Sequence, residues 1–432
     1  MITSVIICAV TVVAMIASIL FFPKLRLKKV NISLYWVIAL IGAVVLLIVK
    51  RQYAPEVGGA LIADTAINPL KILVLFISMT VLSIFLDELG FFRFLASFIL
   101  SRARTGQTKL FIYLYIMVSV LTMFTSNDII ILSFTPFICY FAKNAKIDPI
   151  PFLAAEFVAA NTWSMALIIG NPTNIYLATA SGMDFLSYLK ISILPTLAAG
   201  AVAFGMLFIM FAKKLRAPVE GEPEQVVIED KLLLWVGIAH LGICTVMLAI
   251  GSYIGVEMWL VSACAVVSLI IFNGVIAVVR KKKPAPLLGC VKRVPYELVP
   301  FLLSMFTMIV ILTKEGVTTD IANLLGTDFT VLKYGVASFL SANVINNIPM
   351  SVLFSSIIGA SSEVGVSAVY ATVIGSNISA FFTPIGALAG IMWSSILNNH
   401  GYKFSYLSFL KMGIFIAIPT LFAALGVLML VV

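Results

Sequence analysis

Long uncharged apolar stretches recur along the chain. Most approach the length needed to cross a bilayer, about 20 residues of helix at a rise of about 1.5 Å per residue. The continuous ones are Ile2–Phe22, Ile32–Val49, Ile72–Leu86, Ile191–Ala212, Leu232–Ser252, Met258–Val279, Leu298–Thr313 and Leu407–Val432, with Lys411 near the start of the last. Phe152–Ser181 and Val366–Leu397 are equally apolar but interrupted, which brings the predicted spans to ten. Two further segments do not fit as spans. Leu110–Phe141 is interrupted by Thr125-Ser126-Asn127-Asp128, and Tyr334–Ile358 by Asn343 and Asn346-Asn347-Ile348-Pro349. Each reads as two half-length apolar arms around a polar tip, a re-entrant hairpin that enters and leaves on one side of the membrane. The predicted fold is an all-α polytopic membrane protein, about ten transmembrane helices plus two re-entrant hairpins in two inverted repeats, with broken helices at the midplane.

Charge sets the direction of threading. With the N-terminus outside, the cytoplasmic segments 23–31, 88–109, 143–150, 213–231, 280–293 and 398–403 hold 21 of the 28 Lys and Arg residues. This is a strong positive-inside bias. It disappears if either hairpin is counted as a span, because every later loop then changes side. Both termini are therefore expected outside a cytoplasmic membrane. Composition agrees: 432 residues are 62% hydrophobic and only 11% charged, against about 25% charged in soluble domains. A soluble enzyme, a disordered chain and a nucleic-acid binder are all excluded. The net charge of +9 comes from topology; the run Arg280-Lys281-Lys282-Lys283 reads as a topology anchor.

The halves repeat. Leu86–Gly90 parallels Leu312–Gly316, the tip Ser126-Asn127-Asp128 parallels Ile345-Asn346-Asn347, Asn171–Asn174 parallels Thr383–Gly386, and Phe185–Lys190 parallels Tyr406–Lys411. The organisation read from this is N-terminal scaffold helices at 1–68, then a first repeat at 69–212 with hairpin 110–142 and broken helix 152–181. An acidic cytoplasmic linker follows at 213–231, and scaffold helices with a basic loop at 232–294. A second repeat closes the chain at 295–432, with hairpin 333–358 and broken helix 366–397. The hairpins open to opposite sides, so the repeats are inverted, the plan of secondary transporters with a site between the repeats near the midplane.

Irregular backbone at membrane depth survives only where protein buries it or water reaches it. The tips and interruptions therefore supply the candidate site: Ser126, Asn127, Asp128, Asn171, Thr173, Asn174, Asn346, Asn347, Asn377 and Thr383. Freed carbonyls and amide or hydroxyl oxygens can hold a cation, and half-helix N-termini an anion or a hydroxylated neutral solute. Asp128 is the sharpest member. An ionisable group in a span costs about 2.5–3.5 kcal/mol on insertion scales, and this one can exchange a proton or pair with a cation. The two tips are expected close in space, Asn127 near Asn346. Glu156 reads as a first-turn carboxylate near the cytoplasmic end of its span, Asp87 and Glu88 as interfacial, His240 as helix packing and Cys139 as packing. The five cysteines show no CxxC pair and the two histidines are far apart, so no metal site or cofactor is expected. No GxxxxGK[ST] motif is present, which argues against ATP hydrolysis by this chain. A channel and an intramembrane enzyme fit less well, since hairpins from both sides favour alternating access and no nucleophile–base pair is legible.

Leu86-Asp87-Glu88-Leu89-Gly90-Phe91-Phe92, Asn127-Asp128 with Leu132-Ser133-Phe134-Thr135-Pro136, Asn346-Asn347-Ile348-Pro349, and Val373-Ile374-Gly375-Ser376-Asn377 with Thr383–Ala389 resemble the ion transporter superfamily. Among its branches they are most similar to the arsenical pump permease family (ArsB), over most of the chain from Ile72 onward. The resemblance implies a fixed scaffold, a moving transport domain, and efflux of arsenite or antimonite coupled to proton antiport. It also implies partners: the small inorganic solute, H+ or Na+, membrane lipid, a soluble ATPase subunit in some members, and a homodimer. Where that family continues Asn-Asp with Gly-Ala-Ala, this chain has Ile129-Ile130-Ile131. The other branch kept open is a sodium- or proton-coupled anion or dicarboxylate symporter, against which stands the lack of any basic residue deep in a span.

Overall fold

The computed structural model describes all residues except 23, 28–29, 66–67, 103–105, 217–225, 362 and 403. Glu220, Glu222 and Glu224 of the linker thus lie outside the described residues. The elements, in order, are α1 (Ile2–Phe21), a ribbon of β1 (Lys24–Leu27) and β2 (Val30–Ser33), α2 (Leu34–Val49), α3 (Ala54–Ile62), α4 (Pro69–Glu88) and α5 (Phe91–Arg102). Next come α6 (Gln107–Phe124), α7 (Asn127–Asn144), α8 (Ile150–Trp163), α9 (Pro172–Ala180) and α10 (Phe185–Phe211). The second half holds α11 (Lys231–Gly251), α12 (Met258–Val279), α13 (Ala285–Arg293), α14 (Leu298–Lys314) and α15 (Val317–Leu325). It ends with α16 (Thr330–Ile345), α17 (Asn347–Gly359), α18 (Gly365–Ser379), α19 (Leu388–Asn399) and α20 (Tyr406–Val431).

The chain is nearly all helical, as its hydropathy predicts, and the continuous spans sit where the apolar runs place them. Among the described residues, eight helices are long and apolar enough to cross a membrane, or nine if α2 and α3, bent by 98°, count as one. Three details differ from the sequence reading. Residues Lys24–Leu27 and Val30–Ser33 pair as a short antiparallel ribbon, with Lys24 opposite Ser33. The arms of the first hairpin are not half-length: α6 and α7 are 18 residues each, about 27 Å at 1.5 Å per residue. Only the second hairpin is short-armed, at 16 and 13 residues. Third, the short helices α3, α5, α13 and α15 are too brief or too polar for a hydropathy scan to isolate.

Packing follows one rule in both halves. Helix α6 lies along α8 as α16 lies along α18, α2 packs on α14 as α12 packs on α4, and α3 rests on α14 as α13 rests on α4. The second arms cross over: α7 packs on α19, and α17 on α9. Each half therefore completes the other, and neither buries its apolar faces alone. Charge pins two equivalent corners. Arg293 of α13 reaches Asp87 at 2.6 Å and Glu88 at 2.8 Å, just before Gly90. Lys50 reaches Glu315 at 2.6 Å, just before Gly316. Both glycines take positive φ, +77° and +84°, the left-handed turn that glycine adopts without a Cβ clash. His240 bonds Val236 O and Ser268 Oγ, joining α11 to α12.

Where α16 meets α18 the backbones touch. A Cβ on Gly375 would meet Ser338 Oγ and the Gly335 carbonyl and come within 2.8 Å of the Phe339 amide nitrogen. Gly375→Leu should lower stability by about 1–3 kcal/mol or more, since overpacking a close contact forces backbone shifts. The check is the melting temperature of detergent-purified protein. An unchanged value would mean that this contact is not tight.

Candidate functional site

Four breaks interrupt the inner helices, and local chemistry explains three of them. Thr125 and Ser126 are extended, and Ser126 caps α7 by accepting the Asp128 amide at 3.3 Å. Asn171 is extended and accepts the Thr173 amide at 3.1 Å, with Pro172 at the first helical position of α9. Asn346 takes φ +72° with ψ 154°, a strained backbone outside the left-handed helical well, and accepts the Ile348 amide at 3.3 Å. Short polar side chains stop one helix and cap the next. The fourth break, 380–387, starts α19 from Ala387 without a side-chain cap.

The ten candidate residues fall into two groups. Asn171, Thr173, Asn174 and Asn377 form a closed brace between the two broken helices. Asn377 Oδ1 accepts from Asn171 Nδ2 at 3.0 Å and from Ser164 Oγ at 2.8 Å. Asn377 Nδ2 donates to Asn174 Oδ1 at 2.7 Å and to the Val373 carbonyl at 2.8 Å. Asn174 Nδ2 donates to the carbonyls of Ser164 and Leu167, and Ser376 Oγ to Thr173 Oγ1 at 3.0 Å. Asn377 thus spends its whole bonding capacity. These groups are 0–1% exposed, so each amide left single here would cost about 1–3 kcal/mol.

The other six residues lie at the hairpin tips and the fourth break. Asn127 Nδ2 donates to Asn161 Oδ1 at 2.9 Å, while Asn127 Oδ1 is buried without a donor. Asn346 Nδ2 donates to the Ile385 carbonyl at 3.0 Å and the Asn347 amide to the Gly386 carbonyl at 3.1 Å. Thr383 Oγ1 donates to Asn343 Oδ1 at 2.6 Å. Among the described residues no side chain donates to the Asp128 carboxylate, and Asp128 stays partly accessible while its neighbours Asn127 and Ile129 are buried. It lies within electrostatic reach of Tyr35 on α2, whose hydroxyl also meets Glu297 at the start of α14. No hydrogen bond joins the tips directly. Each is fastened to a break instead, the first to α8 through Asn161 just before its break, the second to 383–386.

Asn161 and Ser164 belong to this arrangement and were not singled out from the sequence, while Asn343 was read only as an interruption and Ser376 only as part of a motif. Their one available signal was position beside an interruption, on the face shared with Asn127, Asn171 and Asn377. Glu156 needs correction. It lies in the second turn of α8, not the first, and is fully buried. Thr135 Oγ1 stands 3.1 and 3.2 Å from its two oxygens. Among the described residues no group of three or more His, Cys, Asp or Glu could hold a metal ion.

The profile of the citrate transporter family, CitMHS, matches residues 29–370. An arsenical pump membrane protein of Yersinia enterocolitica is 28% identical over 371 residues, covering 82% of this chain and 84% of its own. The arsenical pump membrane protein of Escherichia coli K12 is 28% identical over 377 residues, with the same coverage. Among solved structures, the YdaH transporter of Alcanivorax borkumensis is similar over 99% of this chain and 97% of its own, at 12% identity and a TM-score of 0.48. The resemblance drawn from the motifs is borne out by the family profile and the arsenical pump relatives. The chain belongs to the CitMHS citrate transporter family and is a multi-pass membrane transporter.

Proposed function

We propose that the protein is a secondary transporter that exports arsenite or antimonite in exchange for protons, by alternating access between inverted repeats. One observation carries the choice of cargo. The polar groups at the tips are amides, hydroxyls and one carboxylate, with no Lys or Arg among them, and Asn127 Oδ1 is buried without a donor. Neutral As(OH)3 or Sb(OH)3 presents hydroxyls that such groups can both donate to and accept from, without a buried counter-cation. Asn127, Asn346, Asn347 and Thr383 bind the solute, Ser126 shapes the tip, and Asp128 exchanges the proton that resets the carrier. Asn171, Thr173, Asn174 and Asn377 hold the two broken helices in register around it. The names of the relatives support the same cargo, and the positive-inside bias supports a cytoplasmic membrane location with both termini outside.

A second reading has its own support. The tips begin α7 and α17 and the brace begins α9, so three capped helix N-termini lie at the breaks. Helix N-termini favour anions, and the family profile is that of a citrate transporter. A proton- or sodium-coupled carboxylate symporter is therefore the alternative. Survival of a metalloid-sensitive host on arsenite and antimonite, with uptake into everted vesicles under an imposed pH gradient, separates the two. Absence of resistance together with sodium-stimulated citrate uptake would replace the first reading by the second.

Thiol capture plays no part in this site. Cys139, Cys244 and Cys290 are buried, and none of the five cysteines bonds a tip residue. Replacing all five by Ser or Ala should leave metalloid resistance within about twofold of wild type, the range expected when no cargo contact is lost. Loss of resistance in a well-expressed cysteine-free protein would put the cargo on sulfur.

A further inference from the structure

Glu156 is a buried carboxylate that neither the tips nor the brace uses. It is wholly buried on α8. Thr135 of α7 touches both of its oxygens. The Trp393 indole N–H of α19, buried and without an acceptor at full hydrogen-bonding distance, lies within reach of the same carboxylate. Around them the rings of Phe157 and Trp393 lie 5.0 Å apart, with Phe409 5.8 Å and Phe404 5.4 Å from Trp393. The site therefore offers hydrogen-bond donors, an apolar wall and no counter-charge. Groups facing it from other elements are few. On α7, Cys139 is within electrostatic reach. The tyrosines of α6, α10 and α18 bond elsewhere: Tyr115 to Gly200 O, Tyr188 to Met165 O and Tyr370 to Ser187 O. No charged side chain acts on Glu156 from those helices.

A carboxylate in such a place is costly when charged and cheap when neutral, unless donors are brought against it. The donors here sit on different elements. Thr135 belongs to the second arm of the first hairpin. Trp393 belongs to α19, which begins at the break that carries Thr383 and takes up the Asn346 and Asn347 bonds. Approach of the indole N–H favours the anion; its withdrawal leaves one hydroxyl and favours the acid.

We infer that Glu156 is a second proton-exchanging group, whose protonation is coupled to the packing of α19 against α7 and α8. It takes a proton from water when the indole withdraws and returns it to water when the indole closes; only an O–H bond forms and breaks. By linkage, whatever shifts α19 shifts proton affinity at Glu156, and protonation of Glu156 shifts α19 by the same free energy. This rests on the reading of protons as the coupling ion, and it adds a site away from the tips at which a proton is held.

Trp393 reports the event directly, so the test needs no cargo. Intrinsic fluorescence of the purified full-length protein is followed between roughly pH 4 and 9, the range in which perturbed carboxyl groups titrate. Wild type should show a titration step, distinct from any at the surface pair Trp259–Glu257, that Glu156→Gln and Trp393→Phe each remove, while Asp128→Asn and Cys139→Ala leave it in place. Thr135→Val takes a donor from the anion and should move the midpoint upward, by about one unit. If Glu156→Gln fails to fold, Glu156→Asp must keep a step at a displaced midpoint. The inference is overturned if wild type shows no step, if the step survives in Glu156→Gln, or if Asp128→Asn removes it. A step with the expected variants but no metalloid flux leaves Glu156 in its role and moves the cargo assignment alone.

Discussion

Asp128→Asn abolishes gradient-driven flux while the protein still folds and reaches the membrane. Asparagine keeps the size and the hydrogen-bonding oxygen of the side chain, and the cap of α7 comes from Ser126, not Asp128, so the break survives. What is lost is the ability to take and release a proton at a partly accessible position with no side-chain donor of its own. An ionisable group placed in a span at a cost of about 2.5–3.5 kcal/mol is retained for what its charge does. Flux driven by an imposed pH gradient in everted vesicles should fall to background. Exchange of cargo at equal concentrations across the membrane, which needs no net proton movement, should fall less. Wild-type gradient-driven flux from the variant would remove Asp128 from the coupling step. Equal loss of both activities would make it a binding residue instead.

Much of the fold was legible because hydropathy and charge are one-dimensional signals. Met258–Val279 is a helix at the boundaries the apolar run gives, and the interruptions at 125–126, 171, 346 and 380–387 are real breaks. At the first three, the caps are the short polar residues that sequence reading picks out. Arm length was less legible: α6 continues through Gln107 and Thr108 ahead of its apolar run, and a hydropathy window starts only where the apolar residues do. The partition of the site was not legible. Asn127 and Asn377 look alike in sequence, each an amide beside an interruption. One keeps an oxygen without a donor and the other spends every valence on its neighbours. That difference depends on what lies across the bundle, hundreds of residues away. Glu156 was misplaced for the same reason: its helix begins at Ile150, and only tertiary packing shows that α7 and α19 close over it.

Asn377→Ala tests the brace and carries the largest expected loss of stability. The change removes an acceptor from Asn171 and Ser164 and the donor to Asn174 Oδ1. All of these partners are 0–1% exposed, so no bulk water replaces what is lost. With about 1–3 kcal/mol for each buried polar group orphaned, and two or three of them unable to find another partner, the loss is roughly 3–6 kcal/mol. The melting temperature in detergent should fall by several degrees or more, and transport should disappear with it, because the broken helices lose the register that aligns the tips. Asn377→Asp separates geometry from charge. It keeps the acceptor for Asn171 and Ser164 but turns the Asn174 contact into two facing oxygens, so it should be destabilised by less than alanine if the acceptor side dominates. Asn171→Ala combined with Asn377→Ala should cost less than the sum of the single changes, since both remove the same bond. A melting temperature within about two degrees of wild type for Asn377→Ala, or strict additivity in the double variant, would show that these amides do not hold the broken helices together.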